Sequence, residues 1–168
     1  LQHSLIEHPE TVKSPVEGLM VNKEFTNISE AFDQNHQRIL LLGDAGSGKT
    51  IVLKEFIRHL AHAWLEHADG LFPLWITLGK WKPDIPLYDW IQSQSDIVPH
   101  RFQELLRSGR LLLIFDSLDE LPTDIPVKDS TSLRRINYQR TFVESWNQAP
   151  EFAECPCIIS SRITDYEI

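Results

Sequence analysis

Residues 43–50, GDAGSGKT, set three glycines, a lysine and a threonine between a short apolar run and a long stretch of helical periodicity. The pattern is G-x-x-x-x-G-K-T. It constrains a fold strongly because its chemistry works only where a buried strand turns into the start of a helix. Both flanks are present. Arg38 leads into the apolar residues 39–42, which stop at Gly43, as expected of a strand buried on both faces. After the motif, residues 51–68 place Leu53, Phe56, Ile57, Leu60, Trp64 and Leu65 on one stripe at the 3.6-residue helical period.

Each residue type in the loop has a physical reason. Gly43, Gly46 and Gly48 permit backbone angles that a Cβ forbids. With Asp44, Ala45 and Ser47 they form a loop whose amides can crowd around a phosphate. The helix opening near Gly48 adds unpaired N–H groups and the positive end of a dipole, about half an elementary charge. Lys49 can reach the β- and γ-phosphates of a nucleotide, and the Thr50 hydroxyl can ligate Mg²⁺.

Size and charge narrow the remaining possibilities. A chain of 168 residues makes one ordinary domain. Sixteen basic against 24 acidic residues give a formal charge of −8, which argues against a general binder of nucleic acid or anionic membrane. No apolar run approaches 18 residues, so no transmembrane helix is expected. The first ten residues lack the basic flank and apolar core of a secretory signal. Cys155 and Cys157, the two cysteines, read as small apolar residues entering a buried strand, and a reducing, cytoplasmic setting fits them. The chain starts without Met and stops on TDYEI, so it is expected to be a piece of something longer.

Along the chain, residues 1–36 are mixed and polar, with a short helix over 28–32 capped by Asn27 or Ser29. Gly70 stands at a helix C-cap position, and an apolar, β-rich run follows over 72–78. Helices are predicted over 87–94 and 99–108, a third strand over 111–115, and a polar loop over 121–132. A helix over 133–148 comes next, with Ile136, Phe142, Val143 and Trp146 as its apolar residues, and then a fourth strand over 157–161. Strands alternating with helices predict an α/β fold with a parallel sheet covered on both faces.

Asp116 follows five apolar residues, so it stands where a buried strand surfaces at its C-terminal end. Open α/β sheets bind ligands at that edge, and the glycine loop leaves the same edge. A carboxylate there can hold Mg²⁺ opposite Thr50. Asp119 and Glu120 add two further carboxylates; a metal and a general base for an attacking water account for the concentration of charge. Asp124 reads as part of a solvated turn. Arg162 ends the fourth strand at the same edge, where a guanidinium suits a phosphate oxygen. Arg134 and Arg135 read as a solvated face at a helix start, and His59, His62 and His67 as exposed helix residues.

Together, ILLLGDAGSGKT, GRLLLIFDSLDEL and CIISSR resemble the NACHT branch of the STAND-class P-loop NTPases. GDAGSGKT corresponds to the Walker A motif. The extended Walker B is the telling feature: an apolar strand, Asp116, small Ser117, Leu118, then Asp119, Glu120 and Leu121. PLWITL and FQELLRSGR also look like that family, and the resemblance spans residues 37–162. It implies a three-layer α/β domain over 37–168 that binds ATP or ADP with Mg²⁺. Lys49 and Thr50 would be the phosphate and Mg²⁺ contacts, Asp116 the Mg²⁺ carboxylate, Glu120 the water-activating residue and Arg162 the sensor-1 residue. It further implies a switch that assembles when ATP-bound, as a homo-oligomer, and that works with lid, sensor and effector domains of the same chain. Residues 1–36 are a candidate contribution to the base pocket.

The acidic pair with the arginine resembles the additional-strand division of P-loop NTPases. That predicts the sheet order 39–42, 157–161, 111–115, 72–78. A nucleotide or small-molecule kinase is the alternative function, although the acidic 121–132 loop makes a poor phosphate lid. A GTPase would want Asp-x-x-Gly after Walker B, where position 119 is Asp. An interaction scaffold with a dead loop would have less reason to keep Lys49, Thr50, Asp116 and Glu120.

Overall fold

The computed structural model describes residues 27–67, 70–128 and 133–163. Residues 1–26, and with them most of the expected base-pocket flank, lie outside the described residues, as do Ala68 at the expected end of the long helix and positions 129–132 of the expected polar loop.

Four parallel strands form the central sheet: β1 (Arg38–Leu42), β2 (Phe72–Thr77), β3 (Leu111–Asp116) and β6 (Cys157–Ser161). Their order is β1-β6-β3-β2, the order predicted, with β6 between the strands that carry the two motifs. β3 is central and reads LLLIFD, with residues 111–115 all buried, as a strand covered on both faces requires. β2 is an edge strand and tolerates Pro73, which has no N–H to offer.

Alternation along the strands divides the core. Leu112, Ile114 and Ile158 face a cluster with Phe32 of α1 (Ile28–Gln34) and Leu53 and Phe56 of α2 (Lys49–His67). Leu113, Phe115 and Cys157 face the opposite way, toward α3 (Leu87–Ser93), α4 (Pro99–Arg107) and α5 (Tyr138–Gln148). That second cluster is aromatic: the Phe115 ring lies 5.2 Å from both Phe142 and Trp146. Helices on both faces of a parallel sheet give the predicted three-layer α/β architecture.

Asn27 is the cap of α1, accepting a 2.9 Å bond from the Glu30 amide. Leu65 does not join the buried stripe of α2; it is 82% exposed. The expected helix over 133–148 is a larger departure. Residues 133–136 form β5 (Leu133–Ile136), paired antiparallel with β4 (Ile125–Lys128), and the helix starts at Tyr138. Arg134 and Arg135 therefore sit on a strand, and Arg135 pairs with exposed Asp124. Asn137 sets the boundary by capping the Arg140 amide at 3.0 Å. The Tyr138 amide closes the base of the hairpin on the Pro122 carbonyl at 2.8 Å.

Cys155 and Cys157 are buried free thiols at the start of β6. Burial, helped by the neighbouring Cys157 and opposed by Arg38, pushes the Cys155 thiol up to about 12. Burial raises Cys157 as well. His59, His62 and His67 are exposed on α2.

Candidate functional site

The C-terminal ends of β1, β6 and β3 bring the sequence-predicted residues to one rim. The loop over 43–48 leaves β1 and runs into α2, which begins at Lys49. Gly46 and Gly48 take φ of 77° and 94°, values that L side chains rarely adopt. A Cβ on Gly43 would meet the Ser47 hydroxyl at 2.6 Å, so the loop closes tightly on itself there. Asp44, Ala45, Gly46 and Ser47 are exposed. The amides of Gly46, Gly48, Lys49 and Thr50 donate to no backbone carbonyl among the described residues. Lys49 Nζ folds back over the loop, donating to the carbonyls of Gly43 at 2.7 Å and Asp44 at 3.0 Å. The result is a loop of unpaired amides with a lysine at the start of a 19-residue helix, an arrangement that can receive an anion.

Asp116 ends β3, two strands away, and its Oδ1 accepts a 2.8 Å bond from the Ser160 hydroxyl. Its other oxygen has no partner among the described residues. Ser117 follows in the left-handed region, at φ 64° and ψ 62°, an uncommon conformation for a residue with a side chain. Its amide is tied down, donating to Ser160 Oγ at 2.9 Å. The chain then makes a 3-10 turn at Leu118–Glu120, braced by Gln139 Nε2, which donates to the carbonyls of Asp119 and Leu121.

That turn sends the acidic pair in opposite directions. The Asp119 side chain is 7% exposed and grips Arg162, with the Arg162 Nε 2.9 Å from Oδ2 and the Arg162 amide donating to Oδ1 at 3.2 Å. Glu120 is exposed, its carboxylate has no hydrogen bond or ion pair among the described residues, and it rests beside Gly79, where a Cβ would meet Oε2 at 3.2 Å. Gly79 follows the edge strand β2, so the Glu120 carboxylate lies on the β2 side of the turn, and Asp119 meets Arg162 on the β6 side.

β6 connects the halves. Ser161 accepts the Gly43 amide through its carbonyl at 3.3 Å, Ser160 holds Asp116, and Arg162 holds Asp119. Sequence reasoning found Arg162 but missed Ser160. The signal was a hydroxyl residue inside the apolar strand CIISS, where a polar side chain that is fully buried needs a partner.

Thr50 and Asp116 offer a hydroxyl and a carboxylate oxygen, hard donors that suit Mg²⁺. Among the described residues no three His, Cys, Asp or Glu side chains cluster to hold a metal.

A model of the NACHT domain family matches residues 37–167. No curated protein matches the chain significantly.

Proposed function

The chain belongs to the NACHT family of P-loop NTPases, and from that premise we propose that it binds ATP and ADP with Mg²⁺, hydrolyses ATP slowly, and serves as a nucleotide-dependent switch for oligomerisation in signalling or defence. One observation carries this reading: the glycine loop with Lys49 and the Asp116 turn surface at the same rim, linked through Ser160 and Ser161 at the end of β6 and Arg162 just after it. No described helix is long and apolar enough to cross a membrane, and we place the domain in the cytoplasm.

The roles follow from position and chemistry. The loop amides of residues 43–50 cradle the phosphates, and Lys49 exchanges its two loop carbonyls for phosphate oxygens, which charge strengthens. Thr50 and Asp116 would hold Mg²⁺, whose charge would offset that of the phosphates. Glu120 is the carboxylate free to accept a proton from an attacking water, because both Asp119 oxygens are engaged by Arg162. Asp119 fixes the arginine, and Arg162 offers its remaining N–H groups to a phosphate.

Slow turnover follows from the open rim. Transition-state charge must be met from several sides with water excluded, and the described residues supply donors from below only. A second copy or a further domain could close the site. Calorimetric titration with ADP, ATP and GTP, followed by single-turnover assays, tests the reading. Adenine nucleotides should be preferred, and turnover should fall well below the 1–100 s⁻¹ of dedicated phosphotransfer enzymes. Glu120→Gln should lower the residual rate and keep binding. Preference for GTP, transfer to a small acceptor, or fast turnover by the monomer would defeat the proposal.

A further inference from the structure

We infer that Ser160 is a positioning residue for the metal, holding the Asp116 carboxylate in the orientation that presents its second oxygen to Mg²⁺. The inference deepens the nucleotide-binding reading and rests on it.

Ser160 lies in β6 with no exposed surface. A buried hydroxyl must be satisfied, and it has one proton to give. It spends that proton on Asp116 Oδ1 at 2.8 Å and uses a lone pair to accept the Ser117 amide at 2.9 Å. The direction is forced: an amide can only donate, and an ionised carboxylate can only accept. The two bonds clamp consecutive residues of β3 and its turn from the neighbouring strand. One fixes the carboxylate about its own axis; the other holds Ser117 in its left-handed conformation, so that the chain leaves β3 without dragging Asp116 round. With Oδ1 occupied, Oδ2 has no partner among the described residues and is the oxygen left for a cation. Without the hydroxyl the carboxylate could swing among rotamers, and part of the metal's binding free energy would go into stopping it. Groups that orient a metal ligand in this way are worth roughly 10- to 100-fold in metal affinity.

Ser161, the next residue, is also buried, at 1% exposed, and its side chain bonds neither Asp116 nor the Ser117 amide, both of which Ser160 holds. It is the internal control. The test uses the 168-residue chain and a fluorescent ADP analogue, titrated in EDTA and then across a Mg²⁺ series. Ser160→Val and Ser160→Thr form the decisive pair, since they share a shape and differ in the hydroxyl. Ser160→Val should raise the Mg²⁺ concentration for half-maximal enhancement of binding about 10-fold, with affinity in EDTA unchanged within twofold. Ser160→Thr and Ser161→Ala should match the wild type in both.

Equal Mg²⁺ half-points for the Val and Thr variants, with Asp116→Asn still raising it, would overturn the role of Ser160 and leave the nucleotide reading standing. A wild type that binds no nucleotide, or binds it indifferently to Mg²⁺, would remove both. If the Val variant does not fold, Ser160→Ala takes its place against the same Thr partner. A loss in EDTA as large as that in Mg²⁺ would mark Ser160 as structural only and also overturn the inference.

Discussion

Two loops leave neighbouring parts of one sheet edge, and they are held in opposite ways. The glycine loop after β1 is shaped by its own backbone: two glycines at positive φ, a tight Gly43 approach, and a lysine resting on carbonyls. Its amides at Gly46, Gly48, Lys49 and Thr50 are unspent among the described residues. The acidic turn after β3 is shaped by side chains from elsewhere, with Ser160, Arg162 and Gln139 each gripping it. The difference teaches what each half is for. On the proposed reading, a surface that wraps an anion keeps its donors free and its conformation set by glycine, whereas the turn that presents Asp116 to a cation is braced by three side chains. Expected effects of substitution follow the same division.

The largest effect should come from the packing beneath the braced turn. Phe115→Ala removes a fully buried ring that touches Phe142 and Trp146; urea unfolding should show a loss of about 3–5 kcal/mol. A loss under 1 kcal/mol would mean that the turn is not anchored in the core. Next, on the open side, Lys49→Ala should lower ADP affinity about 100-fold by calorimetry, through lost charge-assisted bonds, with unfolding stability nearly unchanged. Equal affinity would break the assignment of the loop.

Smaller effects sharpen the contrast. Asp119→Ala should cost about 1–2 kcal/mol, because a buried carboxylate and two bonds from Arg162 disappear. Asp44→Ala, exposed in the glycine loop, should stay within about 0.5 kcal/mol in the same unfolding assay. A change of similar size should be a gain. Ser117→Gly relieves a left-handed residue and should add about 0.5 kcal/mol, strain relief exceeding the entropy that glycine loses on folding. A loss there would show that the clamp on the Ser117 amide depends on the side chain.

Much of this was legible in the sequence because the governing signals are local. A glycine loop between an apolar run and an amphipathic stretch fixes a strand–turn–helix, and the position of Asp116 at the end of LLLIF fixes its place on the rim. The strand order was legible only through resemblance. The β4–β5 hairpin was not: Pro126 argues against a strand, and is tolerated because both strands of a two-stranded ribbon are edges. Ile136 looked like a turn of helix, yet the Asn137 cap that starts α5 follows it. The clasp between Asp119 and Arg162 joins residues 43 positions apart, and the hydroxyl of Ser160 meets Asp116 between neighbouring strands. Such partners are set by register between strands, which single-sequence patterns do not encode.

The buried thiols at the head of β6 make the molecule its own gauge of opening. With its acid dissociation pushed up to about 12, Cys155 remains an unreactive thiol through the alkaline range in which an unfolded cysteine, at about 8.5, is already thiolate. A raised folded value has a definite sign. The stability it brings is whole below the unfolded value and drains away as pH climbs toward about 12. An alkylating dye at pH 9 therefore reacts at a rate set by how often β6 and its surroundings come apart. Because β6 also carries Ser160 and Ser161 and leads directly into Arg162, that rate reads the integrity of the strand that ties the two loops together.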